Sequence, residues 1–280
     1  MSPNIPSEAL SAFDISWSRL AHCNVYGVNN FDLVDPILLD NKCDIFYIIK
    51  AGNNEGQVSR VCKTVVHCVF NCDQPHGNVY ASIAEWVWNN NNRFPVVPHM
   101  INLPDHNENL RKELNIPENA LVYGRHGGFN EFDIGYVHNI VYNVAKTYPN
   151  IFFIFVNTKK FCDDLPNIIH MERIIDLNKK AKFINTCDAM LWGRSGGEVM
   201  SLSMGEFSIK NKPILCTNVS VNERGHIHLL KDKAIWYNEN NLQDIIINFN
   251  REEEAIKDWN AYKEYTPEKV MIKFKEVFID

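Results

Sequence analysis

From residue 120 to residue 216, short apolar runs alternate with helix-patterned segments, and this alternation constrains the fold more than any other feature of the chain. The runs at 120–123, 151–156 (IFFIFV), 189–192 and 214–216 are apolar throughout, as expected of strands buried on both faces, and 168–171 (IIHM) is a further short strand. Helices are predicted between them at about 134–148, 176–186 and 198–209, the last stopped by Lys212-Pro213. Strands and helices joined by short connections build a parallel sheet covered on both faces. The preceding part repeats the theme on a smaller scale. Strands are predicted at 44–50, 61–70, 79–83 and 95–100, with short helices or ordered loops at 16–20 and 34–39. A polar stretch at 103–109 reads as a linker, followed by a short helix at 110–114. Two helices, 242–250 and 252–280, close the chain. The expected organisation is therefore two small α/β domains, 1–104 and 105–255, with a C-terminal helix over 256–280 packing back toward the first.

Bulk properties exclude several classes. A formal net charge of −6 over 280 residues argues against a broad nucleic-acid surface. No apolar run approaches the roughly 20 residues of a membrane helix, and the start lacks the basic and apolar regions of a signal peptide. The eight cysteines form no CxxC pair, and their spacing fits neither a zinc cluster nor a disulfide framework. Several (Cys62, Cys68, Cys216) lie in apolar strands as small hydrophobes. The expected location is cytoplasmic.

Two glycine turns each follow a strand and precede a helix: Gly124-Arg125-His126-Gly127-Gly128 and Gly193-Arg194-Ser195-Gly196-Gly197. Neither is GxGxxG, so an NAD-linked oxidoreductase is disfavoured. Both are expected at the carboxyl edge of one sheet, where α/β proteins bind ligands. Arg125, Lys159 and Arg194 would bring positive charge there, and arginine donates bidentately to phosphate oxygens. Glu198 and Glu206 are expected a little over two turns apart on one helix face. Helix amides, a glycine turn and an arginine make an anion site, and a carboxylate accepts hydrogen bonds from sugar hydroxyls. Together they suit a nucleotide diphosphate with its ribose; the competing reading is an ordinary βα turn.

Asp73 follows an apolar strand of the first domain and is the candidate general base, with His76 as the alternative. Asp73 also suits a turn ahead of Pro75. Glu55, Asp14 and His67 are weaker base candidates. Trp17, Trp86, Trp88 and Tyr80 read as core packing or as sugar-stacking surfaces. There is no DxD motif with strand context, and His226-x-His228 lacks acidic partners, so no metal site is expected.

The run from 121 to 218 resembles the nucleotide-sugar-binding half of GT-B glycosyltransferases, in particular the family with a Glu-x7-Glu motif. Carrying the resemblance are the glycine turn with Arg125, the buried strand 151–156, and Cys187-Asp188-Ala189 leading to Ser195, Glu198, Glu206 and Pro213. It implies two Rossmann-like domains with a cleft between them, the N-terminal one reduced. It makes 1–104 the acceptor side and 105–255 the nucleotide-sugar side. Glu206 would bind the ribose hydroxyls and Glu198 would lie beside the donor sugar. Arg125, Gly127, Gly128, Lys159, Arg194, Ser195, Gly196 and Gly197 would hold the diphosphate. Val199-Met200 departs from the family's aromatic-glycine after the first glutamate. The short N-terminal half and Asn-rich style are similar to the small glycosyltransferases of large algal viruses that transfer xylose to capsid N-glycans. That implies UDP-xylose as donor, a fucose of the glycan as acceptor and the infected host's cytoplasm as location. The expected activity is metal-independent, inverting glycosyl transfer, with the UDP-sugar as co-substrate and no other cofactor. The alternatives are a UDP-sugar epimerase or hydrolase on the same architecture, and a non-catalytic nucleotide-sugar or glycan-binding module.

Overall fold

The computed structural model describes Asn24, residues 26–88 and residues 93–280. The helix expected at 16–20, Asp14, Trp17, His22, Cys23 and the asparagine run at 89–92 lie outside the described residues. The chain divides into two compact units: the described residues up to Val96 together with Lys275–Asp280, and Val97–Phe274.

In the first unit, helix α1 (Val34–Asp40) precedes a parallel sheet of β1 (Ile45–Lys50), β2 (Lys63–Cys68) and β3 (Val79–Ser82), in that spatial order. Central β2 is buried along nearly its whole length, while edge strand β1 alternates half-buried and exposed positions. The strand expected at 95–100 is reduced to one parallel bridge between Val96 and Ser82. Pro95 and Pro98 remove the amides a longer ladder would need. His67 lies with Nδ1 2.6 Å from the Tyr47 hydroxyl and its ring against Phe278. Burial pushes the Tyr47 hydroxyl up to about 12. His67 is therefore a packing residue.

The second unit contains β4 (Leu121–His126), α2 (Gly135–Thr147), β5 (Ile151–Val156), β6 (Ile168–Met171), α3 (Leu177–Thr186), β7 (Ala189–Leu191), β8 (Gly197–Glu198) and α4 (Leu202–Ile209). It continues with β9 (Ile214–Cys216), β10 (Glu223–Arg224), α5 (Gly225–Leu230), β11 (Ile235–Trp236), α6 (Leu242–Ile247), α7 (Arg251–Ala255) and α8 (Pro267–Phe274). Six strands form one parallel sheet in the order β11-β9-β7-β4-β5-β6. Chain direction across the sheet reverses between β4 and β7, which makes that junction a topological switch point. One face of the sheet packs Tyr123, Phe153 and Phe155 against Val137, Val141 and Val144 of α2.

Five expectations change. Strand β4 runs on through Arg125 and His126, so the first turn begins only at Gly127. The helix expected from residue 198 starts at Leu202, where the Ser201 hydroxyl accepts from the Met204 amide. Glu198 instead lies in β8, paired with β10, so Glu198 and Glu206 do not share a helix face. Residues 110–114 form turns rather than a helix. The long closing helix is broken: α8 starts at Pro267, a residue suited to a first turn, and a π-type turn, Lys275–Ile279, follows. Among the described residues no helix is long and apolar enough to cross a membrane.

Candidate functional site

The carboxyl ends of β4 and β7 lie side by side at the switch point. Successive strand residues face opposite sides of a sheet, so Arg125 and His126 at the end of β4 part company.

Arg125 is buried, donating from Nη1 to Thr158 Oγ1 (2.5 Å) and from Nη2 to the Gly128 carbonyl (3.0 Å). Burial depresses its guanidinium to about 10. The loop after β5 closes onto the same backbone: Asn157 Nδ2 donates to the Gly127 carbonyl (2.7 Å), and the Lys159 amide donates to the Phe129 carbonyl (2.8 Å). These bonds join the loops bearing Gly127, Gly128 and Lys159. Arg125 acts within that join as an internal brace, and Lys159 is exposed.

On the other side of the strand end, His126 Nε2 lies 3.0 Å from Glu206 Oε2, and Lys180 Nζ donates to Glu206 Oε1 (2.8 Å). Burial pushes the Glu206 carboxyl up, but His126 and Lys180 outweigh it and hold the group below the ordinary carboxylate range. A cavity of about 230 Å3 opens beside this pair, lined by His126, Asn157, Arg173, Ile174, Ile175 and Lys180. A carboxylate oxygen has two lone-pair directions, so Glu206 keeps acceptor capacity beyond its neighbours His126 and Lys180.

The β7 side carries a different network. Arg194 bridges Glu131 Oε1 and Glu198 Oε2, each at 3.2 Å, and Trp192 Nε1 donates to Glu198 Oε1 (3.3 Å). Burial raises the Glu198 carboxyl, with Arg194 and Trp192 opposing it. The Ser195 amide and hydroxyl donate to the two oxygens of Asp133, both at 2.7 Å. The Glu198 amide donates to His226 Nδ1 (3.3 Å), while Nε2 of that ring donates to the Thr217 carbonyl (3.2 Å). This fixes one neutral tautomer of His226, and burial lowers its basicity further.

The structure thus gathers Arg125, Gly127, Gly128, Lys159, Arg194, Ser195, Gly196, Gly197, Glu198 and Glu206 along one edge. Sequence reasoning missed His126, Lys180, Glu131 and Asp133. For Lys180 a signal existed: a lysine in the first turn of a helix opposes the macrodipole, so a tertiary partner was to be expected.

In the first unit, Asp73 is exposed in the loop after β2. His76 is buried, with Nδ1 2.7 Å from the Gln74 carbonyl and its ring against Tyr80. Its Nε2 is a buried atom with no hydrogen-bond partner among the described residues. The Trp88 indole donates to Ser82 Oγ (2.9 Å), and Arg93 covers its ring.

No protein-family model and no curated protein matches the chain. Solved structures do match it. A glycosyltransferase from Rickettsia africae ESF-5 superposes with a TM-score of 0.64 at 10% identity, over 95% of this chain and 86% of its own. TarM gives 0.60 at 13% identity over 91% of this chain and 59% of its own. Anabaena Alr3699/HepE, solved in complex with UDP-glucose, gives 0.53 at 11% identity over 88% and 74%. The chain spans about three-fifths of TarM. These neighbours are GT-B glycosyltransferases, and the chain shares their α/β fold with its parallel sheets.

Proposed function

We propose that the protein is a UDP-sugar-dependent glycosyltransferase that binds its nucleotide on the Val97–Phe274 unit. One observation carries the reading: Glu206, its carboxyl held below the ordinary range by His126 and Lys180, lies behind two side chains that line a cavity at the carboxyl ends of β4 and β5 in a GT-B fold. Fixed in this way, Glu206 accepts hydrogen bonds from the two ribose hydroxyls, and the cavity takes the base. Lys159, Arg194 and the amides of the 127–128 and 195–197 turns receive the diphosphate. Arg125 supports them through the loop it braces. Glu198 stands beside the donor sugar. The Anabaena structure with UDP-glucose supports a uridine nucleotide as the donor's carrier.

The reaction proposed is metal-independent and inverting. An acceptor hydroxyl, deprotonated by Asp73, attacks the anomeric carbon from the face opposite the diphosphate, and the C–O bond to UDP breaks. The fixed donors stabilise the negative charge developing on the leaving group. His76, in the same loop as Asp73, is the alternative base. The donor sugar xylose and an acceptor fucose on a viral capsid N-glycan rest on the resemblance to small algal-virus glycosyltransferases.

A thermal-shift panel of UDP-, GDP- and TDP-sugars tests the reading, because a ligand that binds only the folded state raises Tm by mass action. UDP-sugars are expected to shift Tm, UDP-xylose most, and no response to any nucleotide would overturn the reading. Turnover that survives a chelator is expected, and its loss would remove the metal-independent step. Full activity in Asp73→Ala together with loss in His76→Ala would move the base to His76.

A further inference from the structure

One acidic side chain sits on the donors assigned to the diphosphate, and the donor reading leaves it without a role. Glu131, in the loop between β4 and α2, accepts from the Gly128 amide at Oε2 (3.2 Å) and lies 3.2 Å from Arg194 Nη2 at Oε1. A single carboxylate thus spans both glycine turns, taking an amide from the first and a guanidinium arm from the second. Backbone amides of glycine turns and the forks of arginines are the donors that phosphate oxygens use. Glu131 therefore fills an oxyanion's place with the chain's own carboxylate.

The contact is a weak one. Both distances exceed the roughly 2.7–2.9 Å of a strong charge-assisted bond. The Arg194 and Glu131 side chains are 31% and 41% exposed, and an ion pair so open to water adds little to stability. The backbone around Glu131 is anchored independently of its carboxylate. The Glu131 amide donates to the Gly128 carbonyl (3.1 Å), Phe132 is buried against the Arg125 guanidinium, and the Asp133 amide donates to the Gly193 carbonyl (3.0 Å). The Glu131 side chain can therefore swing while its loop stays. Asp133 differs, since that backbone anchor and two 2.7 Å bonds from Ser195 tie it to the second turn. Arg194 stays in place too, because Nη1 keeps its 3.2 Å contact with Glu198 Oε2 when Nη2 is released.

Charge points the same way. With Glu131 on it, Arg194 stands between two carboxylates, and a diphosphate approaching the guanidinium meets like charge from both. Moving one carboxylate away lifts part of that repulsion and opens two donors at once. We propose that Glu131 is a competing anion that lowers the affinity of this site for diphosphates: phosphate oxygens take the Gly128 amide and Arg194 Nη2 only when the carboxylate swings away. The nucleoside half of a ligand, seated at the cavity lined by His126 and Lys180, does not enter this competition. The inference rests on the proposed function in taking these donors as the diphosphate site.

Calorimetric titration of the full chain with UDP, uridine and inorganic pyrophosphate tests it, in the wild type and in Glu131→Gln. Glutamine keeps the side-chain length and an oxygen for the Gly128 amide but removes the charge. Glu131→Gln is expected to bind UDP and pyrophosphate about threefold tighter or more, on the scale of an exposed ion pair, with uridine affinity unchanged. Glu131→Ala should change in the same direction. A residue that only shapes the loop would weaken UDP binding when replaced, or shift all three ligands together. Unchanged or weaker binding of UDP and pyrophosphate in both variants would overturn the proposal. So would UDP binding that Glu131→Gln weakens only when magnesium is present, since the carboxylate would then act through a cation. Tighter pyrophosphate binding by the variants, with no binding of UDP or uridine to any of the three proteins, would support the competing anion and count against the donor reading, so the two failures are distinguishable.

Discussion

On the β4 side of the switch point side chains grip the carbonyls of the glycine turn; on the β7 side the last glycine of the turn is paired, backbone to backbone, in a two-strand ribbon. Arg125 and Asn157 grip the carbonyls of Gly128 and Gly127, and the Glu131 carboxylate accepts from the Gly128 amide (3.2 Å). Beyond β7, Gly197 adopts φ +74° and pairs with Glu223 across a two-strand ribbon. A Cβ at Gly197 would lie 1.8 Å from the Glu223 carbonyl oxygen, whereas one at Gly128 would meet only the Glu131 carboxylate, at 2.4 Å. A carboxylate on a flexible stem swings aside; a paired carbonyl does not. The β4 loop is therefore adjustable around a ligand, and the β7 turn is a fixed wall.

That contrast is open to attack by substitution. Gly197→Ala should have the largest effect, about 3 kcal/mol of destabilisation from positive φ and backbone overlap together, read as a lower urea midpoint. A loss below about 1 kcal/mol would mean that the ribbon is not fixed. Arg125→Met removes the brace from the β4 side and should cost about 2 kcal/mol, since the Gly128 carbonyl and the Thr158 hydroxyl lose their buried donor. Gly128→Ala should cost less than either, about 1 kcal/mol, with Glu131 released toward solvent. Gly196→Ala should be smallest, within about 0.5 kcal/mol, because a Cβ there meets nothing closer than 3.6 Å.

The two glutamates sharpen the same contrast through pH. Glu206 has a lowered pKa in the folded protein, so its charge contributes stability above the unfolded carboxyl value of about 4.3, and that contribution fades as pH falls through its folded value. Glu198 is raised by burial, so its ionisation costs stability at neutral pH, and that cost is relieved as pH falls toward the unfolded value. Tm measured against pH should show Glu206→Gln below the wild type at pH 7, the gap closing in acid. Glu198→Gln should lie at or above the wild type at pH 7, its advantage disappearing toward pH 4. Like-signed responses from the two variants would contradict the assigned environments.

The central strand was legible because burial on both faces leaves an unmistakable apolar run: 151–156 is a strand over its full expected length, and so is the half-buried edge strand 168–171. The helix after the second glycine turn was placed too early: Ser201 is a local cap signal for a start at 202, but nothing within residues 198–200 alone opposes helix. What holds Glu198 in a strand is Glu223–Arg224, a pairing 26 residues away that no short window contains. Arg125 and His126 read as turn residues between glycines, which hid their opposite facing. The charged residues of the turns were visible in sequence, but their partners were not. Glu131, Asp133 and Lys180 belong to flanking loops and a helix start, and only the closed sheet brings them to Arg194, Ser195 and Glu206.

The central claim is that Glu206 is the nucleotide's ribose acceptor, and calorimetric titration of UDP into the wild type, Glu206→Gln and Glu198→Gln tests it most directly. Exchanging the carboxylate for an amide weakens charge-assisted hydrogen bonds worth about 1.5–3 kcal/mol, roughly 10- to 100-fold in affinity. The account predicts that loss in Glu206→Gln and near-wild-type UDP affinity in Glu198→Gln. Undiminished UDP binding by Glu206→Gln in a folded protein, or no UDP binding by the wild type, would contradict it.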